Sequence, residues 1–136
     1  MRLTARARAA VTAMTDLAAH QASGPVPLRV VAERQALSLP FLEQVFARLR
    51  RAGLVESRRG ASGGYVLARA AEAVSLADIV AALDEAPRMT ACQPGTTCTG
   101  TSARCLTHGL WRDLDGHIEG FLAARTLADV AEGARS

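Results

Sequence analysis

LRVVAERQALSLPFLEQVFARLRRAGLVESRRGASGGYVLAR, Leu28 to Arg69, packs two helix signals and a hairpin signal into 42 residues. Residues 28–35 predict a short helix with Leu28, Val31 and Ala32 on one side. ALS at 36–38 makes a tight turn. Ser38 can cap a second helix over LPFLEQVFARLRRAG, with Pro40 in the first turn, where its missing N–H is not needed. Gly53 is placed to terminate that helix. Phe41, Leu42, Val45, Phe46 and Leu49 make its apolar stripe. Pro40, Glu43, Gln44, Ala47 and Arg51 recur at i, i+3, i+4, i+7 and i+11, so they share the opposite, exposed face. Residues 54–60 and 65–69 then read as two strands joined by ASGG, whose glycines permit a hairpin backbone.

Two short helices across a tight turn, followed by a β-hairpin, is the element order of a winged helix-turn-helix. The second helix has the character of a groove reader. Glu43 and Gln44 can address base edges, and nearby arginines such as Arg51 can address phosphate. The hairpin tip SRRGASGG sets Ser57, Arg58, Arg59 and Gly60 beside small residues that allow close approach, and arginine suits a narrow, negative minor groove. The plainer alternative is a solvated basic helix with an ordinary hairpin.

Outside this core the pattern stays helical. Residues 4–21 are alanine-rich, with Thr4 as a cap, SGP at 23–25 as a stop, and Val11, Met14, Leu17 and Ala18 on one face. PVPL at 25–28 reads as an extended link. Residues 75–86, SLADIVAALDEA, predict another capped helix. Residues 106–125 carry Leu106, Leu110, Leu114, Ile118, Phe121 and Leu122 in a helical stripe, and TLADVAEGA (126–134) predicts a final short helix capped by Thr126. The expected class is mainly α with a small β-hairpin wing. The expected divisions are a winged helix-turn-helix domain at 1–70, a linking helix at 71–91, a loop at 92–108, and a long helix with a C-terminal helix at 109–136.

Charge divides the chain in two. Residues 1–70 hold 11 arginines against 4 acids, a net of +7, and residues 71–136 hold 5 arginines against 9 acids, a net of −4. A basic half of this kind is suited to meet a polyanion. No apolar run approaches the roughly 20 residues that span a bilayer, and no secretory leader is visible, so the expected compartment is the cytoplasm and no membrane partner is expected. There, clustered thiols are metal ligands or redox groups more often than disulfides.

All three cysteines lie in CQPGTTCTGTSARCLTH, residues 92–108, with spacing C-x5-C-x6-C-x2-H. Cys92, Cys98, Cys105 and His108 bring four soft or borderline ligands into one loop. Thiolates bind zinc, or iron in an iron–sulfur cluster. Structural zinc sites favour two C-x2-C-like knuckles, which are missing among these cysteines, and wider spacings suit the separated irons of a cluster. A catalytic Cys–His pair would need a pocket and an oxyanion site, and nothing in the sequence points to either. His20 and His117 have no such neighbours and read as surface residues.

MRLTARARAAVTAM, GPVPL, ERQALSLPFLEQVFARLRRAGLV, RGASGGYVL and CLTHGLWRDL together resemble the Rrf2 family of bacterial winged-helix transcription factors, and LEQVFARLR, GGYVL and CLTH…LWRDL are its specific parts. The resemblance covers nearly the whole chain. It implies a homodimer held by the long helix, with Leu110, Leu114, Ile118 and Phe121 at the seam. It also implies a [2Fe–2S] cluster on Cys92, Cys98, Cys105 and His108, supplied by the cluster-assembly machinery. Glu43 and Gln44 match recognition-helix positions, and Ser57, Arg59 and Gly60 match wing positions that touch DNA. Pro40 stands where the family often has serine, and the Cys98–Cys105 gap is one residue longer than usual. The expected function is a regulator that binds double-stranded promoter DNA, reports cluster status and represses cluster-assembly genes. The alternatives are a nitric-oxide sensor of the same family and a zinc-stabilised DNA-binding module.

Overall fold

Short polar side chains set where the helices begin. The Thr4 hydroxyl accepts the Ala7 N–H (3.2 Å) and opens α1, Ala5–His20. Ser38 caps α3, Leu39–Arg51, by accepting the Phe41 N–H at 3.4 Å, with Pro40 in the first turn. Ser75 and Asp78 exchange hydrogen bonds of 3.0 Å each to open α4, Leu76–Ala82. Thr126 and Asp129 do the same, at 3.0 and 3.2 Å, for α6, Leu127–Gly133. Each arrangement satisfies N–H groups that a helix start would otherwise leave unpaired. The remaining helices are α2, Leu28–Gln35, and α5, His108–Ala124. The computed structural model describes residues 4–83 and 106–133.

Between α2 and α3 the chain turns at Ala36, whose φ of 54° lies in the left-handed region. A residue with a Cβ is strained there by about 1–2 kcal/mol. The Leu37 N–H, donated to the Ala32 carbonyl at 2.9 Å, helps hold the turn. At the far end of α3, Gly53 takes φ 78° and stops the helix, as its position predicts.

The wing is an antiparallel pair, β1 (Val55–Arg58) and β2 (Gly64–Leu67), in register Val55↔Leu67, Glu56↔Val66, Ser57↔Tyr65 and Arg58↔Gly64. Both strands are shorter than the sequence pattern predicts: β1 stops at Arg58, where the tip at 59–63 begins, and β2 starts one residue earlier than expected but ends at Leu67. Val26, in the link ahead of α2, pairs with Tyr65 through two backbone hydrogen bonds of 3.0 and 2.9 Å. The link therefore acts as a third, one-residue strand and fastens the wing to the helices. Tyr65 also meets Phe46 edge-on, with ring centroids 5.0 Å apart, a geometry that aromatic quadrupoles favour.

One core draws on all the helices. Met14 and Leu17 of α1, Val31 of α2, and Leu42, Val45, Phe46 and Leu49 of α3 are all fully buried. Val74, Ile79, Leu83 and Leu127 join them, as does Leu122 near the end of α5. Removing a side chain of this kind from water contributes about 1.5–3 kcal/mol. After α5 the chain returns to α4's start: the Leu76 N–H donates to the Arg125 carbonyl (3.0 Å) and the Leu127 N–H to that of Val74 (2.8 Å). This pairing lays α6 against α1, while α5 packs on α4.

Candidate nucleic-acid interface

Four buried side chains on one face of α3 fix what the other face shows. With Leu42, Val45, Phe46 and Leu49 at 0% exposure, the helix cannot rotate about its axis without exposing them. Pro40, Glu43, Gln44 and Arg51 are consequently exposed, and Ala47 is half-buried among them. The row expected of a groove reader is thus presented to solvent on a helix anchored by its own core.

Ser57, Arg58, Arg59 and Gly60 are likewise exposed, but the two arginines are not equivalent. Arg58 donates to Glu56 at 2.9 Å, with both side chains about half exposed. Such a pair is worth roughly 0–1 kcal/mol, so a phosphate can displace the carboxylate. Arg59, at the tip, makes no ion pair among the described residues. It can extend without giving up an ion pair to any of them.

Two arginines that the sequence pattern did not single out join this surface. Arg50 at the end of α3 and Arg69 after β2 line an open groove of about 780 Å³ together with Arg58 and Ser57. Arg50 lies one residue from Arg51, and Arg69 lies two residues past the second strand, so their basic character was readable; that they share one groove was not. Point charges arranged this way can follow a phosphate backbone.

His108 opens α5 and is buried at 7% exposure. Asp115 and Leu122, one and two heptads further on, are buried on the same inward face. The Trp111 indole N–H donates to the Thr107 hydroxyl at 2.8 Å and tightens the helix's first turn. Cys92, Cys98 and Cys105 lie outside the described residues, so the expected ligand set is placed only at His108. Among the described residues no group of three His, Cys, Asp or Glu side chains is assembled to hold a metal ion.

The apolar stripe of α5 divides. Leu122 enters the chain's own core and Ile118 packs partly against it, whereas Leu110 and Phe121 remain 59% and 54% exposed and Leu114 lies between these extremes. Leu110, Leu114 and Phe121, at i, i+4 and i+11, run along one outward face. The Arg125 guanidinium sits 4.7 Å above the Phe121 ring. No helix among the described residues is long and apolar enough to cross a membrane.

A family profile described as an iron-dependent transcriptional regulator, Rrf2, matches residues 3–133. Among curated proteins, the HTH-type transcriptional regulator IscR of Erwinia tasmaniensis is 52% identical over 130 residues, covering 96% of this chain and 78% of the relative. The protein of the same name from Photorhabdus laumondii is 50% identical over 130 residues, covering 96% and 79%. Among solved structures, T. potens IscR superposes with a TM-score of 0.81 at 38% identity, covering 98% of this chain and 88% of that one. CymR, the global cysteine regulator of B. subtilis, superposes with a TM-score of 0.82 at 32% identity, covering 97% of each chain.

Proposed function

The chain belongs to the Rrf2 family of iron-dependent transcriptional regulators, and from that premise we propose that it is a homodimeric regulator whose promoter binding follows the occupancy of a [2Fe–2S] cluster. It is a DNA-binding transcriptional regulator and not an enzyme. The observation that carries the finer reading is the pairing, in one chain, of an exposed Glu43–Gln44 row and an exposed Arg59 at the wing tip with a loop whose chemistry is three thiols and an imidazole.

In this reading Gln44 offers a bidentate amide to adenine, and Glu43 accepts from cytosine N4 while repelling acceptor edges. Glu43 therefore forbids some sequences as well as favouring others. Arg59 enters the minor groove, and Arg50, Arg51, Arg58 and Arg69 hold phosphates that set register. Pro40, Ser57 and Gly60 allow close approach at the start of the helix and along the wing. Leu110, Leu114 and Phe121 pair with their copies in a second protomer. Two reading heads related by a two-fold axis then face a symmetric site.

The donor set fits a [2Fe–2S] cluster, with Cys92, Cys98 and Cys105 as thiolates and His108 as the weaker, neutral donor. When bound, the group supplies a reversible occupancy signal that tracks cluster supply from the assembly machinery. Its presence favours promoter binding and repression of cluster-assembly genes in the cytoplasm. His108 opens the helix that packs on α4, so a change at its side chain acts at the junction of the loop and the core.

Anaerobic reconstitution with ferrous iron and sulfide tests this. Wild type is expected to take up one cluster per protomer with visible absorption, and His108→Ala to lose most of it while keeping the same helical circular dichroism. Holo-protein is expected to bind a duplex selected from a random pool more tightly than apo-protein. Zinc bound in place of iron, or equal DNA affinity in the two states, would refute the sensing role.

A further inference from the structure

Between Glu33 and Phe41, the segment leading into the recognition helix holds no fully buried side chain. In α2 the buried side chains, Leu28, Val31 and Ala32, occupy the first five residues. Glu33, Arg34 and Gln35, which complete the helix, are exposed or half-buried. Ala36 in its strained turn follows, and Ser38, the cap of α3, lies two residues beyond. Leu37, Leu39 and Phe41 reach the core only from half-buried positions, and Pro40 is exposed.

A polar anchor from α1 holds this end. The Asp16 side chain is completely buried, at 0% exposure. Its carboxylate accepts the Arg34 Nε–H at 2.9 Å, the Arg34 Nη2–H at 2.7 Å and the Gln35 Nε2–H at 2.9 Å. Two parallel bonds from one guanidinium fix direction as well as distance, and the third bond ties down the neighbouring residue. His20, one turn further along α1, places Nδ1 2.9 Å from the Asp16 carbonyl and 3.5 Å from its carboxylate. The carboxylate is exposed to no solvent that could replace these donors. Arg34 keeps 35% of its side chain in water, so it loses its orientation, not its solvation, when the anchor is removed.

We propose that Asp16 is a specificity-determining positioning residue for DNA recognition: through Arg34 and Gln35 it fixes the end of α2, and with it the placement of Pro40, Glu43 and Gln44 against the base edges. Asp16 touches no DNA itself. Base-edge contacts tolerate little misplacement, whereas phosphate contacts made by long arginines adapt. Loosening the anchor therefore lowers affinity for the cognate site more than affinity for arbitrary DNA.

The inference rests on the DNA-binding reading above, so its test carries Arg59→Ala as a control. Binding is measured, well below the unfolding temperature, to a duplex selected by wild type from a random pool and to a scrambled duplex of the same length. Asp16→Asn and Arg34→Met are each expected to weaken cognate binding by about tenfold, the scale of one impaired base contact, with less than threefold change on scrambled DNA. The double variant is expected to be no worse than the worse single one, because both remove the same anchor. A merely structural role would leave the ratio of cognate to scrambled affinity unchanged when every variant is folded. If Asp16→Asn fails to fold, Arg34→Met carries the test. Unchanged cognate affinity beside a weakened Arg59→Ala overturns the proposal alone. Parallel losses on both duplexes also overturn it, and no response in any variant overturns the DNA-binding assignments with it.

Discussion

Gly64→Ala is expected to detach the wing from the helices. A Cβ added at Gly64 collides with the carbonyl carbon of Val26 and stands 2.5 Å from the Val26 oxygen and 2.6 Å from the Pro27 nitrogen. All three are backbone atoms, so no side chain can swing aside and the strands must part. Parting disrupts the two hydrogen bonds between Val26 and Tyr65 and draws Tyr65 off the Phe46 ring. Two hydrogen bonds at about 1 kcal/mol each and an aromatic pair at about 0.5–1.5 kcal/mol sum to a loss of about 2.5–3.5 kcal/mol. For a chain of this length the corresponding fall in unfolding midpoint is roughly 8–15 °C. Urea and thermal unfolding followed by circular dichroism measure it, with Gly116→Ala as the contrast. Gly116 lies in α5 with nothing within 4 Å of an added Cβ, so that change is expected to stabilise by roughly 0.5–1 kcal/mol. Wild-type midpoint and slope in Gly64→Ala would show that the Val26–Tyr65 seam contributes nothing and that the wing is held elsewhere.

Acid is expected to find Asp16. Burial disfavours its charged form, but hydrogen bonds from Arg34 and Gln35 and the charges of Arg34 and His20 outweigh burial and hold the carboxyl below its ordinary 3.8. The folded state thus favours the carboxylate more than the unfolded chain does. That stabilisation is complete above about pH 4, the ordinary aspartate range, and is lost as pH falls through the lowered native value. Urea midpoints between pH 6 and pH 3 should fall more steeply for wild type than for Asp16→Asn, and identical slopes would contradict the anchor. Leu110→Asp and Phe121→Asp should raise the dimer dissociation constant at least tenfold, since each loses apolar burial worth about 1.5–3 kcal/mol. Leu122→Asp should unfold the protein instead, and sedimentation with circular dichroism separates the two outcomes. Arg59→Ala should weaken cognate binding by about 1–3 kcal/mol, and Arg58→Ala, already paired with Glu56, should cost less. Equal losses in a titration against the selected duplex would show that the wing arginines act as one charge.

Elements whose signals act within a turn or two of helix were legible in the residues alone. Ser38, Pro40 and Gly53 bracket α3 because a cap, a fixed φ and a left-handed stop work on adjacent backbone. Residues 28–35 are helical as the pattern predicts. The exposed row of Glu43 and Gln44 follows from helical periodicity once Leu42, Val45, Phe46 and Leu49 are assigned to the core. The four candidate ligands were read from residue type and spacing, and three of them lie outside the described residues. Tertiary structure alone decided which distant groups meet. Val26 finds Tyr65 across 39 positions, and Asp16 finds Arg34 and Gln35 across 18 and 19. The stripe of α5 looks uniform in sequence, yet Leu122 is buried and Phe121 exposed, because α5 packs on α4 and the turn at Arg125 returns the chain to Val74 and Leu76. Periodicity says which residues share a face of a helix. What that face meets depends on how the rest of the chain is folded around it, and no local pattern encodes that.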